Sequence, residues 1–424
     1  FSLLVSADLK STLDDMKYVL LIGDGMGDLP IPALGDKTPL EYAATPAMDR
    51  LAEEGEMLLV HTVPDGFPPG SDVANLSLLG YEPDKYYTGR APLEAASMGV
   101  DLAGDEIAFR CNLVTLNYSA DGSVGMRDYS AGHISTSEAR ALIKALAAEC
   151  NNDRITLHPG VSYRHLMVWK GSSPRLDPVP PHDYTDQDVS VFYRQYMAVP
   201  EFRALLDKAR KILAEHPVNI ERVKQGKNPA NSLWLWGMGR KPRMELIEQR
   251  YGVRGSLISA VDLLKGLGVC SGLKVIEVDG ATGYIDTNYE GKAEGALRAL
   301  TDGDLVVVHV EAPDEAGHQG NVEDKVRAIE DFDQRIVAPI VRGLEGMGED
   351  FRVVITMDHY TPISRKTHED WPVPMVLYDS RGVDVPGGCG YTEANVKRAV
   401  GQNGLELSSG AQFFKRFING TRGK

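Results

Sequence analysis

The chain has 424 residues, of which 43% are hydrophobic and 25% charged, a composition typical of a soluble globular protein with more than one domain. Its formal net charge of −15 disfavours nucleic-acid binding, which relies on patches of Lys and Arg. No apolar run reaches the roughly 20 residues of a membrane span, and the four scattered cysteines form no CxxC pair, so we predict neither a membrane protein nor a disulfide or zinc framework.

The first 15 residues carry no basic segment followed by a long apolar stretch, so they do not read as a signal peptide. Met16 directly precedes the first strand pattern, and we expect residues 1–15 to be a mobile upstream extension. Scattered cysteines without a pairing pattern favour free thiols in a reducing compartment, so we predict a cytoplasmic protein.

The first strand pattern, residues 18–22, is entirely apolar and ends in a glycine-rich turn that contains Asp24 and Asp28. A helix is predicted over 45–55 and a second strand over 57–63. Apolar strands alternating with helices predict a parallel sheet with helices on both faces. Asp24 follows the strand directly and is a candidate ligand, whereas we interpret Asp28 as a turn residue.

Ser71 lies where a loop rich in proline and glycine meets a helix pattern over 72–79. Free backbone N–H groups and the helix dipole favour an anion at such a junction. A helix N-cap is nevertheless the commoner role for an isolated serine in this position. A catalytic role for Ser71 therefore depends on the residues around it.

The pattern changes near residue 107, where meander-like strands replace the alternation of strand and helix. We predict an inserted, smaller α+β domain over 107–250. Alternation then resumes, and the predicted α/β core comprises 16–106 and 251–424. Its later elements are helices at 256–268, 289–300, 322–344 and 405–419 and strands at 273–279, 305–311, 351–357 and 372–378.

Three apolar strands are each followed by an aspartate, and two of these have a histidine close behind on what we interpret as loops. Ligands bind at the carboxyl ends of the strands in such sheets. Seven residues would form a two-metal phosphoryl-transfer site with Ser71 as the nucleophile, activated by a metal ion. The first group is Asp314, His318 and His368, and the second is Asp24, Ser71, Asp358 and His359.

The ordered motifs GDGMGDLP, PDGFPPGSDVANLSLLGY, HVEAPDEAGHQGN and DHYTPISRKTH resemble the alkaline phosphatase superfamily, and most closely its cofactor-independent phosphoglycerate mutases of the archaeal type. The resemblance runs from about Met16 to the end of the chain. It implies an alkaline-phosphatase-like core and an isomerase of glycolysis and gluconeogenesis. In this family the same seven positions bind two divalent ions, usually Mn²⁺ and sometimes Mg²⁺, Co²⁺ or Zn²⁺.

The resemblance also implies a phosphoserine intermediate at Ser71, with no bisphosphoglycerate or other organic cofactor. Phosphoglycerate, a small phosphorylated substrate, would be held mainly by the insert acting as a lid. Arginine suits bidentate binding of carboxylate or phosphate. The candidates for substrate binding are Arg90, Arg110, Arg164, His165, His182 and Lys292.

Two alternatives remain open at this point. VSYRHLMVW and PPHD in the insert are similar to a bacterial branch proposed to phosphorylate homoserine, which would use the same metal and serine apparatus. A metal-binding protein without catalytic activity would need neither the nucleophile nor a complete ligand set. The physiological metal and the oligomeric state are not determined by the sequence.

Overall fold

The computed structural model describes residues 16–420, so the predicted extension at 1–15 lies outside the described residues. The described residues form two compact units, one made of residues 16–87 and 244–420 and the other of Thr88–Arg243. The sequence places these boundaries at 107 and 250. The helix Arg90–Ser97 packs on strands of the second unit, which moves the first boundary to an earlier residue.

Within residues 16–420 the strands, in chain order, are β1 (Met16–Gly23), β2 (Glu56–Val60), β3 (Glu106–Tyr118), β4 (Val124–Asp128), β5 (Ile155–Val161), β6 (Arg164–Lys170), β7 (Gln187–Asp188), β8 (Ser232–Gly239), β9 (Gly255–Ile258), β10 (Lys274–Val275), β11 (Leu305–Val310), β12 (Asp350–Thr356), β13 (Val373–Asp379) and β14 (Glu406–Leu407). The first unit has α-helices at Pro39–Tyr42, Pro46–Glu54, Ser71–Leu78, Pro83–Tyr86, Ile247–Tyr251, Asp262–Ser271, Tyr289–Asp302, Ala312–Gln319, Val322–Phe332, Ala338–Met347, Glu393–Asn403 and Gly410–Asn419. The second has them at Arg90–Ser97, Thr136–Cys150, Ser190–Ala198, Pro200–Glu215 and Pro217–Lys224. No helix in this part of the chain is long and apolar enough to cross a bilayer.

The first unit is built on an eight-stranded, mostly parallel sheet in the order β10-β9-β11-β1-β12-β13-β2-β14. Strands β9, β11, β1 and β12 run parallel, and β13 is antiparallel to both of its neighbours. Every residue of β11 is buried. Because alternate side chains of a strand point to opposite faces, both faces of the sheet are covered. The predicted α/β fold is confirmed.

Several local predictions for this unit are wrong. Of the strand predicted over 273–279 only Lys274–Val275 forms, and of the helix predicted over 405–419 only Gly410–Asn419. Residues 256–268 do not form one helix, because Gly255–Ile258 pairs in parallel with β11 and only the following segment is helical. The ladder of backbone hydrogen bonds overrides the helical pattern there. Asp314 and His318 are also not on a loop, since both belong to the helix Ala312–Gln319.

The second unit has the predicted α+β character. Its antiparallel sheet has the order β5-β6-β3-β4-β7, and β8 pairs with β3. Helices Thr136–Cys150 and Pro200–Glu215 contribute buried side chains to one apolar cluster with this sheet. The long central strand β3 therefore organises the unit and carries Arg110 in its middle.

Candidate active site and metal centre

Three neighbouring strands of the first unit bring the three aspartates together. The sheet order places β1 between β11 and β12, with Ile22 of β1 beside His309 and Thr356. Asp24 directly follows β1, Asp358 follows β12 by two residues, and Asp314 lies in the first turn of the helix after β11. Parallel neighbours end at the same edge, so the three carboxylates converge.

Asp314, His318 and His368 form the first ligand group. Oδ2 of Asp314 lies 3.2 Å from Nε2 of His318, and its Oδ1 lies 3.5 Å from Nε2 of His368. Asp314 and His318 are one helical turn apart, so they share a face of their helix. The carbonyl of Lys366 lies 3.0 Å from Nδ1 of His318 and can only accept. The ring therefore carries a proton on Nδ1, and Nε2 is the nitrogen that faces the other members of the group.

Asp24, Asp358, His359 and Ser71 form the second group. Nε2 of His359 lies 3.5 Å from Oδ1 of Asp24 and 3.5 Å from Oδ2 of Asp358. Oγ of Ser71 lies 3.1 Å from the same nitrogen. Asp24, Asp314 and His359 also have ligand atoms within 4.8 Å of one another, so the two groups are contiguous. The structure thus brings together all seven predicted residues.

Ser71 is the first residue of its helix and not the N-cap, a position held by Gly70. Its hydroxyl contacts His359 across 288 residues of chain, while its carbonyl accepts a hydrogen bond from Asn75. Asn75 also donates to Oδ2 of Asp358 at 2.8 Å. The capping interpretation is therefore wrong, and the serine side chain is directed into the ligand groups.

The electrostatics of the site favour a bound cation. Burial, followed by the neighbouring carboxylates of Asp358 and Asp314, raises the pKa of Asp24 well above its ordinary value. Burial also lowers the pKa of His359 to about 4, so the ring is neutral near pH 7. Oδ1 of Asp24 is buried and has no hydrogen-bond partner among the described residues. Carboxylate oxygens and imidazole nitrogens suit divalent ions such as Mn²⁺ or Zn²⁺, so the residues present fit such a group.

Behind Asp24 lies a buried chain of polar side chains that the sequence analysis missed. Nε2 of His309 lies 3.4 Å from Oδ2 of Asp24, and its Nδ1 lies 3.3 Å from Oε1 of Glu311. Glu311 in turn pairs with Lys292 at 2.8 Å and accepts a hydrogen bond from Ser259. His309 lies near the end of β11 and Glu311 directly follows this strand. Polar residues at the end of an otherwise apolar strand were the sequence feature that could have indicated this buried chain.

The position of Lys292 therefore does not fit the predicted role of a substrate contact. Its side chain is completely buried, and Nζ also donates to the carbonyl of His309 at 2.9 Å. An ammonium enclosed in this way has no surface to offer a substrate. Asp28 likewise differs from its interpretation as a simple turn residue, because it is buried and holds Nζ of Lys325 at 2.8 Å.

In the second unit, the structure gathers Arg90, Arg110 and His182 around Trp236. The guanidinium carbons of Arg110 and Arg90 lie 4.2 Å and 5.8 Å from the centre of an indole ring, and the ring of His182 lies 5.7 Å from it. Glu94 lies 2.8 Å from Nε of Arg110. Burial first, and then the nearby charges of Arg90 and Arg164, lower the pKa of Arg110 to about 10. Guanidinium groups gathered in this way are typical of an anion-binding site.

The other two predicted substrate contacts differ in exposure. Arg164 is exposed at the start of β6 and lies over the ring of Tyr163. His165 is buried, accepts a hydrogen bond from the backbone of Gly160 on Nδ1, and has a pKa lowered to about 3 by burial. His165 is thus a neutral ring within the sheet.

The fold and the site define an α/β enzyme whose carboxylate and imidazole groups can hold divalent metal ions beside a serine. A model of the family described as 2,3-bisphosphoglycerate-independent phosphoglycerate mutase matches residues 52–219. A Geobacter sulfurreducens protein named as a probable enzyme of this kind is 50% identical over 404 residues, which cover 95% of this chain and 100% of its own. A Methanosarcina acetivorans mutase is 51% identical over 395 residues, covering 93% and 98%.

Two solved structures are also similar. A protein from Pyrococcus horikoshii matches with a TM-score of 0.78 and 28% identity over 97% of this chain and 100% of its own. The cofactor-independent phosphoglycerate mutase from Thermoplasma acidophilum matches with a TM-score of 0.58 and 27% identity over 90% and 94%. The chain belongs to the family of 2,3-bisphosphoglycerate-independent phosphoglycerate mutases.

Proposed function

We propose that this protein interconverts 3-phosphoglycerate and 2-phosphoglycerate, without bisphosphoglycerate, through a phosphoserine at Ser71. The observation that carries the proposal is the 3.1 Å approach of the Ser71 hydroxyl to Nε2 of His359 within the two ligand groups. Relatives of about 50% identity over nearly the whole chain bear the name of this activity. The reaction belongs to glycolysis and gluconeogenesis, and we place it in the cytoplasm.

The proposed chemistry is two successive phosphoryl transfers. Oγ of Ser71 forms a bond to phosphorus while the bond to the 3-oxygen of the substrate breaks, and the serine proton passes to that oxygen. The 2-hydroxyl of the resulting glycerate then attacks the phosphoserine, and its proton returns to Oγ. Ser71 begins a helix, so free backbone N–H groups favour the phosphate next to it.

We propose that two divalent ions occupy the two ligand groups, and Mn²⁺ is the first candidate for both. Asp314, His318 and His368 would hold one ion, and Asp24, Asp358, His359 and Ser71 the other. When bound, such ions lower the pKa of a hydroxyl and stabilise the charge of a phosphoryl group in transit. The protein's own contribution is to fix the three carboxylates and the ring of His359 through hydrogen bonds and ion pairs with their neighbours.

The carboxylate and the phosphate of the substrate need positively charged side chains as partners. Because the chain as a whole is acidic, such side chains must be gathered at the binding site. We propose that Arg90, Arg110 and Arg164 of the second unit bind the carboxylate or phosphate, with His182 beside them. Arg110 is the central one, because its guanidinium is buried and stacked on Trp236. Buried guanidinium groups make stronger, charge-assisted hydrogen bonds to such anions than exposed ones do.

The test is conversion of 3-phosphoglycerate to 2-phosphoglycerate by Mn²⁺-reconstituted protein with no bisphosphoglycerate added. Wild-type protein should turn over, and Ser71→Ala should not, while its circular dichroism and unfolding midpoint stay close to wild type. Ser173→Ala, an exposed serine of the second unit, is the matched control and should keep full activity.

A homoserine-directed phosphotransferase is the alternative that the same assay separates. If the wild-type protein leaves 3-phosphoglycerate unchanged but phosphorylates homoserine from a phosphoryl donor, the proposed function is contradicted. The metal and serine groups would then serve a different acceptor.

A further inference from the structure

The hydroxyl of Thr361 lies between one ligand of each metal group. Its Oγ1 is 2.5 Å from Oδ1 of Asp314, in the first group, and 3.2 Å from Nδ1 of His359, in the second. The residue is completely buried. A single side-chain atom therefore contacts both groups without belonging to either, and neither the sequence motifs nor the proposed chemistry accounts for it.

The directions of these two hydrogen bonds follow from the number of protons available. A hydroxyl has one proton, and an aspartate carboxylate can only accept. Thr361 therefore donates to Asp314 and accepts from Nδ1–H of His359. A neutral imidazole that carries its proton on Nδ1 has its lone pair on Nε2. Nε2 is the atom that lies 3.1 Å from Oγ of Ser71 and 3.5 Å from Oδ1 of Asp24.

The surrounding structure fixes this hydroxyl tightly. The carbonyl of Thr361 accepts a hydrogen bond from Nζ of buried Lys325 at 2.8 Å. A Cβ at Gly25 would lie 2.5 Å from Oγ1 of Thr361, and a Cβ at Gly317 would lie 2.5 Å from its carbonyl oxygen. Gly25 also has a φ of +59°, a conformation that other residues rarely adopt. Two glycines thus provide the space in which the threonine sits.

We propose that Thr361 is a positioning residue that sets the tautomer of His359 and the orientation of Asp314, and so couples the two metal groups. The proposal deepens the proposed function and rests on it for the identity of the bound groups. Hydrogen bonds from a neighbouring side chain to a metal ligand commonly contribute 10- to 100-fold in metal affinity or activity. Thr361 would supply such bonds to two ligands at once.

The test compares Thr361→Val, which keeps the shape and loses the hydroxyl, with Thr361→Ser, which keeps the hydroxyl and loses the methyl group. Mn²⁺ binding to chelator-treated full-length protein is measured by titration calorimetry, separately from turnover. We expect Thr361→Val to weaken Mn²⁺ binding roughly 10- to 100-fold and Thr361→Ser to restore most of it. Thr356→Val is the matched control, because its buried hydroxyl lies against the backbone carbonyls of Met357 and Pro374.

Unchanged Mn²⁺ affinity in Thr361→Val would overturn the proposal. Equal losses in the Val and Ser variants would also overturn it, because they would assign the effect to packing of the methyl group. The metal measurement is independent of substrate. If wild-type protein fails to convert 3-phosphoglycerate, the proposed function falls, and an affinity loss confined to the Val variant would still support the role of Thr361.

Discussion

The ammonium of Lys292 lies 2.8 Å from Oε2 of Glu311, and both side chains are enclosed in the first unit. Glu311 also contacts His309, which lies against Asp24 of the second metal group. The burial of Lys292 and Glu311 makes this pair an internal support of the site. Removing one partner of a buried pair leaves an uncompensated charge.

Lys292→Met should therefore lower the free energy of unfolding by about 3–5 kcal/mol. Combining it with Glu311→Gln should recover part of this loss, because the double variant leaves no unpaired charge. Urea denaturation of Lys292→Met, of Glu311→Gln and of the double variant measures both effects. A normal unfolding midpoint together with a raised KM in Lys292→Met would instead indicate a substrate contact. That result would contradict the buried, structural role of Lys292.

Asp333 gives a pH dependence with a defined sign. Burial raises the pKa of its carboxyl to about 6, although the backbone N–H groups of Met48 and Ala47 donate to it. The native state therefore holds this proton at pH values where the unfolded chain has released it. The group favours folding below about pH 4, and that contribution is lost as the pH rises through 6.

Asp333→Asn should remove this loss, so the free energy of unfolding of the variant should fall less than that of wild type between pH 4 and pH 8. Unfolding measured between pH 4 and pH 8 checks the prediction. The exposed Asp302→Asn controls for the removal of one charge. A variant as pH-dependent as wild type between pH 4 and 6 would disprove the assignment.

Arg110 offers a test of the proposed anion site in the second unit. Replacing it by Ala or by Lys should reduce kcat/KM for 3-phosphoglycerate by roughly 10- to 100-fold, because a lost charge-assisted hydrogen bond costs about 1.5–3 kcal/mol. Lysine should not rescue, since it lacks the planar guanidinium that stacks on Trp236. Arg203→Ala, on an exposed helix face, is the control. Equal activity of Arg110→Ala and wild type would remove Arg110 from the proposal.

Metal removal should destabilise the protein as well as inactivate it. An ion that binds only the folded state stabilises it by about 2.7 kcal/mol at one hundred times its dissociation constant. Adding Mn²⁺ to chelator-treated protein should therefore raise the thermal midpoint, and Asp358→Asn should abolish much of that rise. Identical midpoints with and without Mn²⁺ would contradict metal binding by these groups.

The ligand groups were predictable from the sequence because their members follow apolar strands. An aspartate that directly follows a buried parallel strand lies at the carboxyl edge of the sheet, whatever the order of the strands. Asp24, Asp314 and Asp358 could therefore be predicted at that edge before the strand order was known. The α/β class followed from the same alternation of strands and helices. The role of Ser71 was predicted only from the candidate ligands around it, since an isolated serine at a helix start is commonly a cap.

The supporting residues were not predictable for a physical reason. The roles of His309, Lys292 and Thr361 depend on tertiary contacts with Asp24, Glu311 and Asp314, respectively. A polar residue in an apolar strand was a local signal for His309, but it did not specify the partner. Lys292 in particular sits in an amphipathic helix, where a lysine is normally solvated. The unit boundary at residue 88 was missed for the same reason, because the helix Arg90–Ser97 is assigned by its packing on β3 and β8.

The central claim is that the phosphoryl group passes through Ser71. The most direct measurement is rapid acid quenching of Mn²⁺-loaded protein during turnover of 3-phosphoglycerate, followed by mass spectrometry of the peptide that contains Ser71. We predict a phosphorylated peptide whose modification maps to Ser71 and that is absent from Ser71→Ala. Turnover with no phosphate on Ser71, or with phosphate on another residue, would contradict the account.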